Sequence, residues 1–167
     1  MREIRNLLLN PRPGMPGVAE FTAGPYATVA YSAGRVTVTA TQAFAYAQRA
    51  VTLPAGDWVY SAFVGNYTGS DECTTARNRG LYVVVNGQIH ENQPFTGIDK
   101  RYTIQFHLDT ETTVSLRLAG PATIGESLSW WGMLLASKQD YDVMRSLTDA
   151  NGQPLNLTWF DGDTYPR

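Results

Sequence analysis

The chain has 167 residues, enough for one domain with a full hydrophobic core, and 43% of them are hydrophobic against only 17% charged. A formal net charge of -2 lacks the clustered basic footprint that phosphate neutralisation demands, which excludes nucleic acid as an expected partner. The single cysteine, Cys73, excludes an intrachain disulfide and a Cys-based zinc site, and no run of roughly 18 apolar residues exists to insert into a membrane.

The opening MREIRNLLLNPRPG has no apolar core long enough for a signal peptide, so conventional secretion is not expected. Arg5 to Asn10 reads as a short first strand, ended by Pro11, Pro13, Gly14, Pro16 and Gly17, which forbid its continuation. From Thr28 the pattern is regular: two alternating segments flank Ala33-Gly34 and predict a hairpin. Phe44 to Val51 continues as extended chain. Asp57 to Gly65 is aromatic and β-branched on both parities, as expected of an inner strand covered on both sides.

Asn66 to Gly80 is polar and predicts a long loop. LYVVV then leads into Asn86-Gly87, a dipeptide that tolerates positive φ at both turn positions and predicts a second hairpin. Tyr102, Ile104, Phe106 and Leu108 alternate with polar residues, as do Val114, Leu116 and Leu118. The turn Asp109-Thr110-Glu111 predicts that these two strands pair. Eight or nine short strands with almost no 3.6-residue period predict an all-β, two-sheet antiparallel β-sandwich of jelly-roll type. Residues 1–137 are assigned to the sandwich. Residues 138–167 are assigned to a short helix-like segment, Lys138 to Ser146, and an irregular C-terminal tail with turn signals at Asn151-Gly152 and Asp161-Gly162.

The last apolar run, Glu126 to Ala136, places Trp130 and Trp131 side by side, and successive strand side chains point to opposite faces. Leu128, Trp130 and Leu134 form the apolar set and are assigned to the core. Trp131 and Met133 travel with Ser127 and Ser129 on the other side. A sheet that binds sugar needs an aromatic plate for the apolar face of a ring and fixed polar groups for its hydroxyls. Trp131, Gln105, His107 and Arg117 share the polar parity and form the candidate carbohydrate-binding set, provided their strands are neighbours. Tyr67, with Asp71 and Arg77, is an alternative rim in the long loop. The blander possibility is an ordinary solvated face with Trp131 packed under the tail against Trp159. No nucleophile with its base and no catalytic carboxylate pair is evident, and no catalytic residue, metal ligand or cofactor is assigned.

Four segments carry a family resemblance: Arg5-Asn6-Leu7 with Asn10-Pro11-Arg12, Trp58-Val59-Tyr60-Ser61-Ala62-Phe63-Val64, Ser129-Trp130-Trp131-Gly132-Met133-Leu134 and Trp159-Phe160-Asp161-Gly162-Asp163-Thr164. In order and spacing the chain resembles the carbohydrate-binding-module-like jelly-roll domains of bacteriophage minor tail proteins. The resemblance implies a non-catalytic virion component, assembled in the host cytoplasm and carried on the tail. Its implied partners are host cell-envelope glycan, other tail proteins and copies of itself. Related modules hold a structural calcium with carboxylates that here read Arg12-Pro13-Gly14 and Ala136-Ser137-Lys138, so calcium is not expected at that place. A purely architectural module of the virion is the main rival, and a polysaccharide depolymerase a more distant one.

Overall fold

A computed structural model describes residues 3–8, 21–160 and 164–165. Two five-stranded antiparallel sheets face each other. The front sheet runs, edge to edge, β2 (Thr22–Ala23), β5 (Tyr46–Leu53), β10 (Thr112–Ala119), β7 (Arg79–Val85) and β8 (Gln88–Pro94). The back sheet runs β3 (Ala27–Ser32), β4 (Arg35–Ala40), β11 (Ser127–Ser137), β6 (Gly56–Gly65) and β9 (Lys100–Leu108). A ribbon of β1 (Ile4–Arg5) and β12 (Thr164–Tyr165) and a helix, α1 (Lys138–Arg145), complete the described elements. The architecture is therefore the all-β sandwich expected, with more strands than the alternation alone suggested.

Alternation explains the core. Ile104, Phe106 and Leu108 of β9 and Val114, Leu116 and Leu118 of β10 are buried in one cluster between the sheets, each large apolar side chain contributing about 2 kcal/mol of transfer free energy. Trp130 is fully buried, and its indole N–H donates to the Ala119 carbonyl at 2.9 Å, a bond from the back sheet to the front one. The edge of Tyr102 meets the same indole at 5.8 Å between centroids. Both predicted tight hairpins form: Ala33 and Gly34 have φ of 50° and 74°, Asn86 and Gly87 of 49° and 76°, the paired positive values of a type I′ turn. The inner-strand assignment of Asp57 to Gly65 also holds, since β6 lies between β11 and β9.

Two expectations are corrected. β9 and β10 do not pair: β9 is an edge of the back sheet beside β6, and β10 sits in the front sheet between β5 and β7. The link Asp109-Thr110-Glu111 is an arch across the core. Two strands facing each other through an interior alternate just as two strands of one sheet do, so periodicity could not separate these arrangements.

The second correction concerns β11. Trp131 pairs with Phe63 and Leu134 with Ser61, so Gly132 and Met133 together oppose Ala62 in a bulge, with Gly132 at φ 58°. Parity reverses there. Met133 joins Trp130 in the core, while Leu134 faces outward and is covered by a second small cluster containing Ile4, Ala136, Met144 and Phe160. Asn6, fully buried, anchors the bulged strand: its amide donates to Met133 O at 2.9 Å and its carbonyl oxygen accepts from Leu135 N–H at 3.0 Å and Leu8 N–H at 3.2 Å.

The helix-like interval is α1, capped by the Ser137 hydroxyl, which accepts from Asp140 N–H. Asn151-Gly152 is a turn, with Gly152 N–H on Asp149 O. Asn10 to Arg12 and Asp161 to Asp163, which carry part of the motif resemblance, fall outside the described residues, as do Pro13 and Gly14 of the calcium comparison.

Candidate ligand-binding groove

The outer face of the front sheet carries one straight cross-strand row. Thr22 of β2 pairs with Gln48 of β5, Gln48 with Arg117 of β10, Arg117 with Tyr82 of β7, and Tyr82 with Asn92 of β8. Side chains in register on one face stand close enough to act together. On one side of this row the outward residues are short: Ala50 pairs with Ser115, and Thr52 with Thr113. Small residues beneath longer neighbours leave a depression of ≈440 Å³, lined among others by Thr22, Gln48, Asn86, Thr113, Ser115 and Arg117.

Arg117 is held at the head of this groove. Its guanidinium lies 4.3 Å from the Tyr46 ring centroid and 5.9 Å from that of Tyr82, and its Nε–H donates to the Ser115 hydroxyl at 3.3 Å. Tyr46 and Tyr82 meet edge to face at 6.3 Å. Burial pushes the Tyr82 hydroxyl pKa up to about 12, against the opposing pull of Arg117. Arg79 also stands over the Tyr82 ring, 5.7 Å from its centroid.

Past Tyr46 the face continues to Phe44, which is 40% exposed and has φ 70°. A bulky residue with positive φ is a strained exception, and strain persists only where the surroundings impose it. Arg77, also at positive φ, stands 5.1 Å from the Phe44 ring, and a small hollow of ≈30 Å³ separates Phe44 from Tyr46, Arg79 and Tyr82. The face thus offers an exposed aromatic plate at Phe44 and, beyond Tyr46 and Tyr82, a depression lined by hydrogen-bonding side chains.

The sequence-predicted residues do not form one site. Trp131, Gln105 and His107 lie on the outer face of the back sheet, whereas Arg117 belongs to the front sheet, because β9 and β10 are joined by an arch. Trp131 is half-buried between Phe63, 4.9 Å away, and Arg35, 4.3 Å from its ring. Gly65 makes room for it; a Cβ there would stand 2.8 Å from the indole. Trp131 shares its cross-strand row with Phe63 and Arg101, so Gln105 sits four residues farther along β9, about 13 Å at ~3.3 Å per residue. Trp159 packs near Gly132.

Gln105 and His107 share a separate ≈330 Å³ hollow with Asp57, Trp58 and Lys138. His107 Nδ1 lies 2.7 Å from Asp57 Oδ1 and its Nε2 3.3 Å from Asp109 Oδ1. The hydrogen bond to Asp57 raises its pKa above 6.5. Tyr67 donates a short hydrogen bond to Glu126, which fastens the long loop to the approach of β11 and raises the phenol pKa. Its loop neighbour Arg77 does reach the groove, at Phe44.

Gln48, Tyr46, Ser115, Tyr82 and Phe44 were not singled out from sequence. Their signal is the outward parity of β5, β10 and β7, which acquires meaning only once those strands are known to be neighbours. Among the described residues no group of three or more His, Cys, Asp or Glu side chains stands ready to hold a metal.

No family model and no curated protein sequence matches the chain. Solved structures do match in fold. One is a family 29 carbohydrate binding module, 9% identical, covering 82% of this chain and 90% of its own, with a TM-score of 0.50. The chain shares its jelly-roll fold. A second, a family 29 module complexed with cellulohexaose, is 9% identical and covers 81% of this chain and 92% of its own, with a TM-score of 0.48. Neither of these structures is a phage tail protein.

Proposed function

We propose that this jelly-roll sandwich is a non-catalytic carbohydrate-binding module whose ligand lies along the outer face of the front sheet. The observation that carries the proposal is the unbroken row Thr22, Gln48, Arg117, Tyr82 and Asn92 across the face, with a depression on one side of it and, past Tyr46 on the other, the exposed, strained Phe44. Such a face answers both needs of a sugar: a ring plate for its apolar side and fixed polar groups for its hydroxyls. The fold shared with a carbohydrate binding module adds to this reading. Placement on a phage tail, with envelope glycan as the target and other tail proteins as neighbours, is supported by the sequence motifs alone. In this reading Trp131 is a packing residue of the back sheet.

The test is titration of the purified chain with a panel of neutral and acidic oligosaccharides. Saturable binding is expected, weakened about tenfold by Phe44→Gly, the equivalent of about 1.4 kcal/mol. Glycine is at ease with positive φ, so the melting temperature of that variant is not expected to fall much, which separates loss of the plate from loss of the fold. No saturable binding to any glycan, or unaltered affinity after Phe44→Gly and Gln48→Ala alike, would overturn the proposal.

A further inference from the structure

We infer that the front-sheet groove selects acidic glycans, chains whose sugar rings carry carboxylate or sulfate; this rests on the carbohydrate-binding reading above. The chain as a whole is slightly acidic, with 15 Asp and Glu against 13 Lys and Arg. The groove departs from that balance. Among the described residues neither the large depression nor the small hollow beside Phe44 is lined by any Asp or Glu, whereas Arg117 lines the first, Arg79 the second, and Arg77 covers Phe44. Sugar-binding faces for neutral rings commonly need acceptors as well as donors, because hydroxyls do both; here the charged groups are donors only.

Nor does any described carboxylate form an ion pair with these cations. Among the described residues the ion pairs are those of His107 with Asp57 and Asp109 and of Lys138 with Asp142, none of them in the groove. Arg117 is not a loose surface side chain: two tyrosine rings and the Ser115 hydroxyl hold its plane, so little conformational entropy remains to be lost when it receives an anion. A guanidinium fixed in this way presents a planar fork that matches a carboxylate or a sulfate.

A fourth arginine strengthens the field from behind. Arg49 lines the depression from β5, pairs in register with the inward Leu116, and is only 9% exposed. Burial lowers its pKa, against the opposing pull of Tyr60 and Tyr31, because desolvation disfavours the charged form. An anion seated in the groove on the other side of β5 would offset that cost. Summed charge of one sign along a low-dielectric cleft concentrates ligands of the other sign.

The experiment compares three hexamers on the intact chain: oligogalacturonate, the same oligomer fully methyl-esterified, and sulfated cellohexaose. Oligogalacturonate is expected to bind at least about thirtyfold tighter than its ester at 20 mM salt, a ratio that shrinks at 500 mM as charges are screened. Arg117→Gln brings the acid-to-ester ratio close to one; Arg79→Gln, whose side chain lies at the margin, reduces it by a smaller factor and guards against a folding defect in the first variant. Tight binding of the sulfated hexamer alone assigns the anion to sulfate and keeps the inference. Equal affinity for acid and ester, independent of salt, overturns the inference while leaving carbohydrate binding in place. Failure of every hexamer and of the neutral panel removes the underlying reading, and the inference with it.

Discussion

Arg117 and His107 show how two polar residues of matching sequence parity come to different ends. Arg117 is pinned beside two tyrosines in a groove whose described lining holds no carboxylate, while His107 stands exposed between Asp57 and Asp109. The His107 pKa is raised, chiefly by the Asp57 hydrogen bond. A raised folded-state pKa means that the stabilisation is fully present below the unfolded value of about 6.5 and is lost as pH rises through the folded value. The urea midpoint of the parent is therefore expected to decline as pH climbs from 5.5 to 8, and His107→Gln to lack that component of the decline. Parallel curves for the two proteins would show that the Asp57 contact contributes nothing in solution. The exposure of all three side chains keeps the effect small.

At the level of the strand, the bulge in β11 decides where its side chains go. Without it Leu134 would point inward and Met133 outward, the arrangement that strict alternation predicts. Gly132 makes the bulge possible: its φ is 58°, and a Cβ would come within 2.7 Å of Arg101 Nη2 and 3.2 Å of the Trp159 ring. Gly132→Val is expected to destabilise the fold by about 2–4 kcal/mol, through strain at positive φ and displacement of Arg101, whose guanidinium donates to Gly132 O and the Ser61 hydroxyl. Chemical denaturation measures this directly; a change below about 0.5 kcal/mol would mean that the bulge is not locked by glycine.

The tight turns were legible because Ala33-Gly34 and Asn86-Gly87 encode backbone angles locally. The bulge was not, since a single glycine in a strand is compatible with regular pairing as well. Nor was the arch after β9, because Asp109-Thr110-Glu111 says nothing about which sheet receives the next strand.

Across the whole molecule, the sandwich follows from alternation, and a likeness in fold at 9% identity shows how little residue identity that requires. Interior positions such as Trp130, Leu116 and Phe106 were readable as core because burial depends on parity alone. The groove was not readable in the same way. Its row is assembled from five strands spread between Thr22 and Arg117, and the arch that sends β10 to the front sheet separates Arg117 from Gln105 and His107. The proposed function depends on which outer face would meet a glycan, the grooved front or the back with Trp131.

Backbone amide chemical-shift mapping by NMR during titration with the tightest-binding hexamer tests this most directly. The account predicts shifts concentrated at Phe44, Tyr46, Gln48, Ser115 and Arg117, with the amides of Gln105, His107 and Trp131 unmoved. Shifts centred on Trp131 and its back-sheet neighbours, with the front sheet silent, would contradict it.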